Sequence, residues 1–585
     1  MSAEHNGTFD LVIRGGTVAD GTGGALRTAD VAVRDGRVAE VGTVSGRGHR
    51  EIDAAGLLVA PGWVDVHTHY DGQATWDNRL APSSPQGVTT VVFGNCGVGF
   101  APVRPSEHDR LIALMEGVED IPGTALHEGL PWTWQSFPQY LDALDALPHD
   151  IDVAAQVPHG ALRVHVMGDR GAAGEDATAA DIAEMAELVE QAVRAGALGF
   201  TTSRSTNHKS STGEPTPSLT ASESELVGIA AGLKAAGSGV MQLLSDFADV
   251  DAEFELIHRM AAASGRPLSF TLAEQLAFAR PDDKVPYLAI LDRIGRSRAA
   301  GVQLTAQVAP RAIGLMMGLE ATLHPFVANP VFAEIAELDL AAQVVALRDP
   351  AFRQRLLTAA NAGSDKLGGS MVTRYDRLVE LGDPPNYEPP ASASIANRAA
   401  AAGVSPEEMA LDVMLTAQGR GLLYLPAANY LNWNFDVVRE MLVHPCAVPG
   451  LSDGGAHVGT ICDGGFPTFL LYWWGRDRPS GRLPVEWLVA RQTAATARLV
   501  GLEDRGVLAP GYRADINVLD FEKLALRAPR MHADLPAGGR RFLQPATGYR
   551  HTFVAGLETY VDGEPTDALP GRLVRGPQQL AASVS

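Results

Sequence analysis

The chain reads as an α/β protein: a TIM-like (β/α)8 barrel, a small β-sandwich built from both chain ends, and a helical insertion before the eighth barrel strand. Three observations predict this. Short apolar runs alternate with long amphipathic helices through the middle of the sequence. Both ends are instead rich in alternating apolar and polar residues broken by glycine turns. One connection between apolar runs is far too long for a loop.

The amino-terminal segments FDLVIRGGTVAD, ADVAVRDGRVAEVG and REIDAAGLLV alternate in the strand period, and Asp35-Gly36 between two of them signals a hairpin. ADINVLD and HTFVAGLETYVDGEP carry the same texture near the other end. Residues 1–57 and 501–585 are therefore expected to form one β-sandwich in two parts around a barrel over 58–500.

Eight strand candidates follow in order. They are LLVAPGWVDV, VTTVVFGNC, DVAAQVPHG, ALGFTTS, GVMQLLSD, PLSFTL, GVQLTAQVAP and AVPGLSDGG. Helices lie between several of them. The stretch TAADIAEMAELVEQAVRAG has a capping box in Thr178 and Asp181 and a stop at Gly196. TASESELVGIAAGLKAAG repeats the pattern with Thr220 and Glu223. Residues 311–446, between the last two strands, hold helices of their own; Ser405-Pro406-Glu407-Glu408 opens one. This segment is read as an insertion over the barrel mouth.

The chain has 585 residues and a formal net charge of -22. Such acidity argues against nucleic acid and anionic membranes as general partners. Three cysteines without a CxxC pattern argue against a disulfide framework. No basic-then-apolar leader opens the sequence, and no apolar run is long enough to span a membrane. A cytoplasmic protein acting on a small molecule is expected.

Chemistry is expected at the carboxyl ends of barrel strands. His67 and His69 end the first candidate, and residues two apart on a strand share a side. Two neutral imidazoles side by side suit a divalent transition metal. Cys96 ends the second candidate, His159 the third and Asp453 the eighth, with Gln242 and Asp246 at the fifth. A carboxylate placed between an apolar strand and Gly-Gly needs a partner, and a metal supplies one.

These segments resemble the amidohydrolase superfamily and, within it, the N-acyl-D-amino-acid deacylases (D-aminoacylases). The likeness runs from DLVIRGGTVADGTG through PGWVDVHTHYDGQATWD, GVTTVVFGNCGVGFAP and LSDGGAH to TAATARLVGLEDRGVLAPGYRADINVLD. It implies zinc and amide hydrolysis. His67, His69 and Cys96 match metal ligands, and Asp453 matches the aspartate that both approaches the metal and shuttles the proton. Association into a homo-oligomer is common in the superfamily.

Two departures stand out. The histidines the family carries on strands five and six are missing; ungapped matching puts Leu244 and Leu272 there. Gln242, Asp246 and Glu274 are the nearest substitutes, and His208, His324 and His457 are others that loops bring in. One zinc per chain is therefore expected rather than two. The arginine that meets a substrate carboxylate after the strand-eight aspartate is also missing, leaving Arg204 or Lys209 to replace it. His208, Gln242 and His457 complete the candidate substrate contacts. Metal-dependent cleavage of an amide C–N bond is the leading reading. Lactone or ester hydrolysis, C–C cleavage, or a binding protein with a decayed site are the alternatives.

Overall fold

The computed structural model describes residues 8–274, 286–361 and 369–580. The opening residues, whose composition bears on a leader, lie outside that range.

Both chain ends enter a single nine-stranded sheet. Its first strands are β1 (Phe9–Val18), β2 (Arg27–Arg34), β3 (Arg37–Gly42), β4 (Gly48–Asp53) and β5 (Leu58–Pro61). Asp35 and Gly36, both at positive φ, make the β2–β3 hairpin turn. The strand period sorts β1 onto two faces. Leu11 and Ile13 join one apolar cluster with Val31 and Val33, while Val12 joins another with Ala32.

A parallel array follows. Strand β6 (Trp63–Asp65) pairs with β7 (Val88–Phe93), and β7 with β8 (Asp152–Ala155). Every residue of β7 is buried, as its run of Val, Thr and Phe requires. The chain breaks at Gln156 and resumes as β9 (Val157–Pro158). A second parallel array then runs through β10 (Gly199–Arg204), β11 (Val240–Ser245), β12 (Leu268–Thr271) and β13 (Leu304–Val308). Thr68, just past β6, bridges in parallel to Gly454.

Helices cover the outside. Thr178 and Asp181 form the reciprocal cap expected of them. The next helix differs by two residues from its sequence reading. Ser222, not Thr220, is the cap, accepting from Glu225 N at 3.3 Å. Thr220 instead donates its hydroxyl to Gly174 O, which removes it from the helix end.

Between β13 and the last parallel strand the chain builds an antiparallel sheet of β14 (Ile313–Met317), β15 (Val379–Glu380) and β16 (Leu423–Ala428). Helices pack on it around a separate apolar cluster that includes Met317, Leu347, Leu378, Leu411 and Leu425. The array is completed by β17 (Ala447–Pro449), which pairs with β13. Strand β18 (Ile516–Leu519) then inserts against β5, and strands 549–554, 557–561 and 564–565 extend the terminal sheet.

Candidate metal centre

The segment after β6 stays extended. Thr68 N donates to Val92 O, and His69 N donates to Gly454 O. This holds His67 and His69 on one side, with ring centroids 5.6 Å apart and both side chains almost wholly buried. Thr68, facing the other way, donates its hydroxyl to Val92 O.

Cys96 arrives from the turn after β7. Gly94 there sits at φ 86°, and a Cβ on it would lie 2.2 Å from Gln156 O, so only glycine fits. Cys96 itself has φ 55°, an uncommon conformation for a side-chain-bearing residue. Its N–H donates to Gln242 Oε1 at 3.2 Å. Asp453 follows β17, also at positive φ, with its N–H donated to His67 O. Strained backbone at two of these four positions is the pattern expected where side chains are held for a task.

The four side chains converge. Cys96 Sγ is 3.4 Å from His67 Nε2, and Asp453 Oδ1 is 3.4 Å from His67 Nε2 and 3.7 Å from His69 Nε2. Ligand atoms of His67, His69 and Cys96 all lie within 4.8 Å of one another, the one such cluster among the described residues. Asp453 reaches the imidazoles but stands outside that threefold set.

The donors fit a zinc-class cation. Metal–ligand bonds of about 2.0–2.3 Å in a tetrahedron imply edges of roughly 3.3–3.8 Å, which brackets the distances of His67 Nε2 from Cys96 and of Asp453 from both imidazoles. Two imidazoles and a thiol form a borderline-soft set. Gln307 supports the fit: its Nε2 donates to Ser269 Oγ at 2.9 Å, so its Oε1 accepts from His67 Nδ1–H at 2.9 Å. His67 Nε2 is thereby left as a lone-pair donor.

Charge follows from burial and neighbours. Burial pushes the His67 imidazole down to about 4, so it is neutral. Burial also pushes the Cys96 thiol up to about 12. For Asp453 burial opposes ionisation, yet His69 and the other nearby imidazoles outweigh it and hold the carboxyl well below its usual range. For His69 burial is outweighed by Glu119 and Asp453, and the ring is held well above its usual value.

The remaining sequence candidates separate. Gln242 is buried beneath the cluster, supporting Cys96. Leu244, two residues on along β11, faces the same side by alternation. Strand β12 differs from the ungapped match: Ser269 faces the site through Gln307, so alternation puts Thr271 there and Leu272 on the opposite face. Asp246 accepts from Thr206 N and Oγ1, and Glu274 accepts from Leu431 N, so both tie loops together. Arg204 is not free for a substrate carboxylate. Glu253 takes its guanidinium bidentately at 2.8–3.0 Å, and Ala221 O takes another donor. His208 pairs Nδ1 with Ser203 Oγ at 3.0 Å, and Lys209 is exposed. His457 is partly exposed, with Nε2 3.4 Å from Glu119 Oε2.

His159 and His324 lie elsewhere. His159 opens a helix and is enclosed by Thr202 and Glu225, both at 2.9 Å. His324 packs edge-on against Phe332 in the insertion. Sequence reasoning missed Gln307, which pairs with His67, and also Glu119, whose Oε1 is 3.3 Å from His69 Nδ1. It ends the helix His108–Glu119 and continues the stripe of buried Ile112 and Met115 at helical spacing. A charged residue on an apolar stripe was the available signal.

Three comparisons with known proteins bear on family and fold. A profile described as "Amidohydrolase family" matches residues 50–566. The chain is 28% identical over 544 residues to the D-aminoacylase of Alcaligenes xylosoxydans xylosoxydans, covering 92% of this chain and 94% of that one. It is 29% identical over 581 residues to the N-acyl-D-glutamate deacylase of the same organism, covering 98% of each. Among solved structures, a D-aminoacylase superposes with a TM-score of 0.65 at 25% identity, covering 97% of this chain and 100% of the other. The N-acyl-D-glutamate deacylase of Bordetella bronchiseptica, complexed with zinc and a phosphonate mimic of the tetrahedral intermediate, gives 0.63 at 26%, with the same coverage.

Proposed function

The chain belongs to the amidohydrolase family, and from that premise we propose a metal-dependent hydrolase that cleaves the C–N bond of an amide in a small molecule, in the manner of the N-acyl-D-amino-acid deacylases it resembles. The observation that carries the reading is the convergence of His67, His69 and Cys96 beside the Asp453 carboxylate.

The parallel arrays are read as a closed (β/α)8 barrel over 58–500, with 311–446 inserted and 1–57 and 501–585 forming the small β domain. His67, His69 and Cys96 would hold one zinc, with Asp453 at its edge. When bound, the metal supplies Lewis acidity and makes water acidic enough to attack near neutral pH. Asp453 takes the proton of the attacking water and returns it to the departing amine. Gln307 and Ser269 fix the His67 tautomer, and Gln242 anchors the Cys96 turn. With Leu244 and Thr271 at the ends of β11 and β12, the second histidine pair has no counterpart there.

The engagement of Arg204 by Glu253 favours a second reading of the substrate: an uncharged acyl amide, ester or lactone rather than an amino-acid carboxylate. The test is elemental analysis of the purified protein and of His67→Ala/His69→Ala, followed by a panel of N-acyl-D-amino acids, neutral amides, esters and lactones. About one zinc per chain, lost in the variant, with amide turnover, supports the proposal. Bound zinc without turnover on any panel member overturns the hydrolase reading in favour of a binding protein.

A further inference from the structure

Glu119 is a carboxylate with almost no exposure and no conventional hydrogen-bond donor. Neither oxygen has a well-formed hydrogen bond to any group among the described residues, and neither does His69 Nδ1. What stands against it are two imidazoles. His69 Nδ1 lies 3.3 Å from Oε1, and His457 Nε2 lies 3.4 Å from Oε2. The backbone is drawn into the same contact, since His457 N donates to Glu119 O. Two more bonds fix this corner. Asp120 Oδ2 accepts from Gly459 N at 3.1 Å and faces Thr322 Oγ1 at 3.4 Å.

Burying a carboxylate without well-formed partners is costly, so the arrangement needs a compensating role. The triangle does not supply it as a second metal site. Among the described residues, the sole set of three ligand-capable atoms within 4.8 Å of one another is His67, His69 and Cys96.

We propose that Glu119 is a positioning residue that clamps both imidazoles at once, holding a proton on His69 Nδ1 and another on His457 Nε2. Each oxygen accepts one ring N–H. The first contact fixes Nδ1 as the nitrogen that keeps its proton, so that Nε2, which faces Asp453, is the one left to give up its proton and bind a metal. The second leaves His457 Nδ1 as an acceptor at the partly exposed edge of the site, where a substrate N–H or O–H docks. One helix-end residue thus orients a ligand of the metal and a contact of the substrate. The ligand half of this inference rests on the metal-centre reading above.

The test compares wild type, Glu119→Gln and His457→Asn. Glutamine preserves volume but presents one acceptor and one N–H donor, so one imidazole loses its partner. Zinc affinity is measured by competition with a chromogenic chelator, and the coordination sphere by the visible absorption of the cobalt(II) protein. Loss of such an outer partner typically weakens metal binding about 10–100-fold. That loss, with an altered cobalt spectrum, is expected for Glu119→Gln, and less than a threefold change for His457→Asn. Circular dichroism confirms that each variant is folded. Wild-type affinity and spectrum in folded Glu119→Gln would overturn the clamp.

If wild type itself takes up no metal, the metal-centre reading fails, and the clamp is judged separately. Proton NMR of the metal-free protein should then show two protected ring N–H signals, from His69 and His457, that vanish in Glu119→Gln. Their absence from wild type would refute the clamp.

Discussion

Two buried clusters of histidine and carboxylate lie on this scaffold, and they are built in opposite ways. In one, His159 donates or accepts at both nitrogens, to Thr202 and Glu225, while Arg163 gives Nε to the same Glu225 oxygen at 2.7 Å. Arg163 also reaches Pro217 O and Glu175 O. In the other, His67, His69, Cys96 and Asp453 face one another, and His69 Nδ1 and both Glu119 oxygens lack well-formed hydrogen bonds. In the first cluster both ring nitrogens of the histidine are closed by the protein's own partners, although Glu225 Oε2 is left unpaired. The second is arranged as if a further group completed it. Both clusters bury histidine beside carboxylate; what separates them is that His159 is paired at both ring nitrogens, whereas His69 Nδ1 has no well-formed bond.

The sharpest way to break this contrast is Asp453→Asn. It should lower turnover about 10²–10⁴-fold, the usual range for losing a proton-transfer group, with thermal stability near that of wild type. Full activity in the variant would remove Asp453 from the chemistry. In the closed cluster the outcomes should be reversed. Arg163→Met strands a buried carboxylate and should cost about 3–5 kcal/mol of stability in chemical denaturation, with metal content unchanged. Metal loss there would show that the clusters are coupled. Between these extremes, Gln307→Leu removes the acceptor for His67 Nδ1 and should weaken zinc binding about 10-fold or more in chelator competition.

A third cluster gives the smallest effect. Asp150 is buried and served by Leu80 N and Tyr560 Oη, and burial pushes its carboxyl up to about 6. The folded state then holds a proton that the unfolded chain gives up near its ordinary value. Its contribution to stability is complete below that value and is lost as pH rises toward 6. Asp150→Asn should therefore gain stability relative to wild type as pH climbs from about 4 to about 6, read as the difference in unfolding midpoint. A constant difference would contradict the assignment.

These clusters also show what the sequence could and could not reveal. His67 and His69 were legible because the strand period alone puts them together, and Cys96 and Asp453 because each ends an apolar strand. His159 carried the same signal and was misleading, since its partner Glu225 lies 66 residues away on a helix. Arg204 was offered as a substrate contact for want of any local sign of Glu253, 49 residues on. Leu272 was matched to a ligand position by counting, whereas the face of β12 is set by the bond between Ser269 and Gln307. Glu119 stood out as a charge on an apolar helical stripe, but its two imidazole neighbours come from distant segments that this pattern does not name.

The terminal sheet carries a consequence for synthesis. Strand β5 pairs with β18 through Leu58 and Leu519, so an early strand waits for one made about 460 residues later. At about 5–20 residues per second, that is roughly 20 to 90 s of translation. Throughout that interval β5 has an unfilled edge, and β-strand edges are templates for wrong partners. A nascent chain stalled before residue 516 should thus depend on chaperones in a way the released chain does not, and the β18 segment acts as the last stitch that retires that hazard.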